Sequence, residues 1–208
     1  MSRFTQPRVL RRFVIMMAVA TVAMFTFWAV LNNYLDAPSG DFEVRQGDIF
    51  LGDGKYDSAL ERFDAALAAT PDHRGALMGR ALVFLQSGRY LDGEAEFTYL
   101  IDYLRDTLAA DDATGFAVYA AAYTNRGILY DRTGRYEKAL ADYIEALKID
   151  EGAVDGPSLI DKVIYGTPRP ATVRLRAIYL SEQLALPEHE RVLSIPEKDA
   201  EQRMYKPF

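Results

Sequence analysis

The distribution of apolar and polar positions changes character near residue 32. Before it, Phe13 to Leu31 reads FVIMMAVATVAMFTFWAVL, nineteen residues without a charge. Every face of such a helix is apolar, so it has no polar side to turn to water. Its length of about 28 Å matches the ~30 Å hydrocarbon layer of a bilayer. Beyond the connector, apolar residues recur three and four apart, the spacing of amphipathic helices, punctuated by glycine turns. The pattern predicts an all-α chain: a basic N-terminus (1–12), a transmembrane helix (13–31), a linker (32–40), a helical repeat region (41–153), and a capping helix with a tail (154–208).

The repeat region aligns on itself at three Gly-x-Tyr cores: Gly54-Lys55-Tyr56, Gly88-Arg89-Tyr90 and Gly134-Arg135-Tyr136. Tyr56 and Tyr90 are 34 residues apart, and Tyr136 follows after that period plus twelve. Nine residues before the tyrosines stand Gly47, Ala81 and Gly127; after them come Ala59, Gly93 and Ala139 at three, Phe63, Phe97 and Tyr143 at seven, and Ala66, Leu100 and Ala146 at ten. Offsets of three, seven and ten share one helical face. The small residue before each tyrosine lets two helices approach, the glycine ends the first helix, and the tyrosine opens the second.

A 34-residue period with these residues resembles the tetratricopeptide repeat (TPR) over about residues 40–153. The third unit, YAAAYTNRGILYDRTGRYEKALADYIEALKIDE, matches closely; the first departs at Glu43 and Gln46, and the second has Gly93 and Leu100 where the family has alanine. The units fall at about 40–73, 74–107 and 120–153, with an insertion near 106–119 that lengthens the preceding helix and adds a turn. The resemblance implies a superhelix whose first helices line a concave groove for a peptide or protein segment. In register, that groove would present Val44, Asp48 and Leu51, then Met78, Leu82 and Leu85, then Thr124, Ile128, Asp131 and Arg132. The lysine and asparagine clamp with which some members hold C-terminal carboxylates is missing from these positions.

After the repeats, Asp155-Gly156-Pro157 and Gly166 to Pro170 break the chain around a short helix expected at Ser158 to Tyr165. Ala171 to Leu186 reads as an amphipathic capping helix with Val173, Ile178, Leu180 and Leu184 as its core side. Pro187-Glu188 and Pro196-Glu197 signal two short helical turns. Val192, Leu193 and Ile195 are expected to fold the tail back onto the repeats.

Charge decides orientation. Arg3, Arg8, Arg11 and Arg12 precede the apolar block and no acid does, which leaves 20 basic against 30 acidic residues in the rest. The positive-inside rule puts the arginines in the cytoplasm and the body outside, in the periplasm of a bacterial inner membrane. Ala18-Val19-Ala20 has the form of a signal-peptide cleavage site, but cutting there would leave Thr21 to Leu31 as an apolar end in water, so the segment is read as an uncleaved anchor. The acidic body excludes a nucleic-acid backbone as partner. No pair of small residues four apart occurs in the span, so it carries no close-packing dimer signature.

Chemistry is thinly represented. Without cysteine, thiolate metal sites and a cysteine nucleophile are excluded. His73 and His189 stand in no metal-ligand spacing, Gly52-Asp53-Gly54 lacks the rest of a phosphate loop, and Asp111-Asp112 is a solvated loop pair. Catalytic, cofactor and metal residues are therefore assigned to none, with no small-molecule substrate. The expected function is a membrane-tethered scaffold that binds a protein in or near the membrane, as an assembly or accessory factor of an envelope complex; a permanent subunit of a respiratory or transport complex is the alternative.

Overall fold

The computed structural model describes residues 7–35, 39–150 and 173–195. Among them are eight α-helices: α1 (Pro7–Leu35), α2 (Asp41–Gly52), α3 (Tyr56–Ala69), α4 (Arg74–Gln86), α5 (Tyr90–Thr107), α6 (Ala113–Arg132), α7 (Tyr136–Ile149) and α8 (Val173–Leu184). The helix predicted at 158–165 and the turn at Pro196 lie outside the described residues.

Helices α2 to α7 form three antiparallel hairpins stacked side by side. Tyr56, Tyr90 and Tyr136 are each the first residue of the second helix in their hairpin. Before each of them a glycine bends the chain with φ of 72°, 77° and 74°, a conformation that other residues rarely adopt. The small positions work as spacing implied. A Cβ built on Gly47 would lie 2.6 Å from the Phe63 ring, and one on Gly79 would lie 2.3 Å from it. Phe63 is thus wedged between α2 and α4, fully buried, and the same geometry joins Gly127 to Tyr143 at 2.7 Å.

The insertion is shared between two helices. It extends α5 to Thr107 and starts α6 at Ala113, so α6 has 20 residues where α2 has 12. Asp112 is no free loop acid: it caps α6 by accepting from the Gly115 amide at 2.7 Å and pairs with Arg74 of α4. Asp111 is exposed.

A polar staple recurs between repeats. Arg80 of α4 reaches Asp64 of α3 at 3.0 Å and Glu96 of α5 at 2.8 Å. Its counterpart Arg126 of α6 reaches Thr98 of α5 at 3.0 Å and holds Asp142 of α7 in a two-pronged pair at 2.8 and 2.9 Å. Each guanidinium therefore ties the second helix of one hairpin to the second helix of the next. A planar fork of donors suits such a bridge.

Helix α8 packs on α7, in the place where the first helix of a fourth hairpin would stand. Its buried side is Val173, Arg176, Ala177 and Leu180. Ile178, expected in the core, is exposed, and Leu184 is half-buried. The inward stripe follows 173, 176, 177 and 180, and Ile178 sits about 100° off it. The tail folds back as far as Ile195: Tyr179 Oη donates to the Val192 carbonyl, Arg176 Nη2 donates to Leu193 O at 2.9 Å, and Leu193 packs against the core. Glu188–Glu190 forms the expected single turn.

In α1 the apolar side chains from Val9 to Leu31 are exposed. The segment Arg8–Leu31 is long and apolar enough to cross a membrane, a test that a signal sequence also passes.

Candidate functional site

The ten groove positions lie on the first helices of the three hairpins, and the structure places most of them inside. Val44 and Leu51 of α2, Met78, Leu82 and Leu85 of α4, and Thr124, Ile128 and Asp131 of α6 are all buried. Asp48 is half-buried and only Arg132 is exposed. The apolar middle set is packed into the common core together with α6: Asn125 Nδ2 lies 3.7 Å from the Met78 sulfur. Spacing alone cannot show this, because it fixes which face a residue takes and not what lies across from it.

Two polar groups mark the third hairpin. Thr124 Oγ1 is buried without a hydrogen-bond partner, and such a hydroxyl costs on the order of 1–3 kcal/mol. Thr124→Val removes it at equal volume, so the midpoint of urea unfolding should rise or stay unchanged. A loss of partner binding by the same variant would identify Thr124 as a contact.

Asp131 serves the chain itself. It accepts from Arg176 Nε and Nη2, both at 2.7 Å, and from Tyr143 Oη at 3.2 Å. Both members of the ion pair are almost fully buried. The Tyr143 hydroxyl is held well above its ordinary range, first by burial and then by the Asp131 charge. This group was read as a groove contact; its position makes it the socket for α8. The residue that sequence reading passed over is Arg176, which resembles any surface arginine until its carboxylate is found 45 residues away.

A second cluster joins the last two hairpins. Glu94 of α5 accepts from Arg135 at 2.6 Å and Tyr130 at 3.0 Å. Burial raises the Glu94 carboxyl, and these two donors outweigh it, leaving its pKa below the usual 4.5. Burial pushes the Tyr130 phenol up to about 12. Because the folded chain holds Glu94 ionised, its contribution is complete above pH 4.5 and is lost as pH falls below that value. Acid titration of thermal stability should therefore be shallower between pH 4.5 and 3 in Glu94→Gln than in the unmodified chain.

The histidines are far apart in role. His73 Nε2 lies 2.8 Å from an Asp41 oxygen and fastens the first inter-repeat turn to the start of α2. His189 is exposed on the tail turn beside Glu190.

Comparison with known proteins agrees with this geometry. A tetratricopeptide repeat model matches residues 44–102, and another tetratricopeptide repeat model matches residues 120–152. Among solved structures, the chain is similar to the TPR domain of Arabidopsis OM64, at 18% identity over 66% of this chain and 94% of that one, with a TM-score of 0.45. Comparison with curated protein sequences gives no match. The three hairpins from Asp41 to Ile149 are tetratricopeptide repeats, and the folded body of this chain belongs to that family of protein-interaction scaffolds.

Proposed function

We propose that the chain is a membrane-tethered scaffold that holds a protein partner at the outer face of the bacterial inner membrane, as an assembly or accessory factor. The observation that carries this reading is a TPR array joined, through the five residues 36–40, to a helix whose apolar side chains are all exposed. Apolar area of that extent stays out of water only in a bilayer or against another protein. The four arginines before the span favour an exported body. The ten groove positions remain the proposed contact zone, with Asp48 and Arg132 its accessible members. A tether raises the local concentration of such a scaffold near membrane partners without adding a contact.

Two measurements test this. Alkaline extraction should leave the full chain in the membrane pellet, and an alkaline phosphatase reporter after Phe208 should be active. Crosslinking in membranes followed by mass spectrometry should then recover one recurrent envelope protein. Extraction into the supernatant, or a reporter active only in its cytoplasmic form, would overturn the tether or its orientation.

A further inference from the structure

The two ends of the array are finished differently. At the C-terminal end α8 covers α7. At the N-terminal end, the outward face of α2 carries Phe42, Arg45, Gln46 and Ile49. In the next two hairpins the same register holds Ala76, Gly79, Arg80 and Val83, then Ala122, Asn125, Arg126 and Leu129. Those faces are covered by the preceding second helix: Gly79 meets Phe63, Arg80 reaches Asp64, and Arg126 reaches Thr98. On α2 nothing lies across, so Phe42 is 53% exposed and Ile49 64% exposed. A solenoid end that faces water is normally polar. Phe42 in place of Ala76 is also too bulky for the close stack that a further repeat would make.

We propose that this face pairs with the α2 face of a second copy, antiparallel about a two-fold axis between Arg45 and Gln46. The face is self-complementary in that arrangement. Phe42 opposes the partner's Ile49, and the reverse contact follows by symmetry. Arg45 and Asp48 lie on one flank of the helix, and in an antiparallel pair like flanks meet, so Arg45 faces the partner's Asp48 twice over. A parallel pairing would instead set Phe42 against Phe42 and Ile49 against Ile49, with no such charge match. An anionic bilayer surface is a poor occupant, because Asp41, Glu43 and Asp48 outnumber Arg45 on α2.

The inference rests on the tether proposed above, which supplies what the small interface lacks. One 12-residue helix face falls short of the roughly 800 Å² per partner of a standard interface. Confinement to a membrane compensates through effective concentration. The geometry is compatible with anchoring: the connector of five residues spans at most about 20 Å, and antiparallel α2 helices start about 18 Å apart. The two spans then enter the bilayer separately, in keeping with the absence of a close-packing signature within them.

The cysteine-free chain makes a clean test. Gln46→Cys, next to the proposed axis, is expressed full length in membranes and oxidised, with Leu91→Cys, 83% exposed on α5, as the reference. Dimer at least tenfold above the reference is expected. Arg45→Asp in the Gln46→Cys background should bring it down to the reference, and adding Asp48→Arg should restore it. Ile49→Ser, which removes an exposed side chain, should lower it independently, with protease resistance of the body confirming that each variant is folded. Crosslinking at the reference level, or to a different protein, would overturn the pairing. Membrane fractionation of the same samples reads the tether separately: a soluble chain would refute the anchor while the crosslink still decides the pair.

Discussion

Asp131→Ala is expected to lower stability at the C-terminal end of the array by about 3–5 kcal/mol. That is the cost of removing one partner from a buried ion pair and leaving the other charge in place. Arg176 sits with both prongs on Asp131 and is almost fully buried, so without that carboxylate its guanidinium must be hydrated or expelled. Expulsion carries α8 with it, because Val173, Ala177 and Leu180 share the same face. The tail goes too, since Arg176 and Tyr179 hold it through the Leu193 and Val192 carbonyls. Limited proteolysis should then cut α8 and the tail while α2 to α7 stay protected. The double variant Asp131→Leu/Arg176→Met should recover most of the loss, because it leaves no unpaired charge. Equal protease resistance of Asp131→Ala and the unmodified chain would show that α8 does not depend on this pair.

Phe63→Ala should be as damaging at the opposite end, at about 3–5 kcal/mol for a fully buried phenylalanine. The ring fills the space that Gly47 and Gly79 leave open, so the cavity would lie between α2, α3 and α4. Those contacts join the first hairpin to the rest. Repeat arrays lose stability unit by unit, so the first hairpin should open at lower urea than the third. Hydrogen exchange would show it as early loss of protection in α2 and α3 with α6 and α7 little changed. A single transition shared by all three hairpins would mean that the first hairpin is not separately held. Against a total of roughly 5–15 kcal/mol for a small domain, either substitution removes a large share.

What can be read in the letters of this chain is what depends on neighbours close in sequence. The 34-residue period, the tyrosine at each second-helix start and the glycine before it are set within one hairpin, where helix geometry fixes the spacing. The apolar run from Phe13 to Leu31 is legible for a similar reason, since length and composition alone match it to a bilayer. Tertiary structure decided the rest. Arg80 and Arg126 sit ten residues before their tyrosines in the same register, yet their role as staples depends on carboxylates 16 residues away across a stack. Asp131 and Arg176 look like surface charges until α8 is laid against α7. The groove residues were assigned to the right helices, but their burial depends on how closely α4 and α6 approach, a distance set by the side chains between them and not by period. Local spacing determines which face a side chain takes; only packing determines whether that face meets water, the chain itself or another molecule.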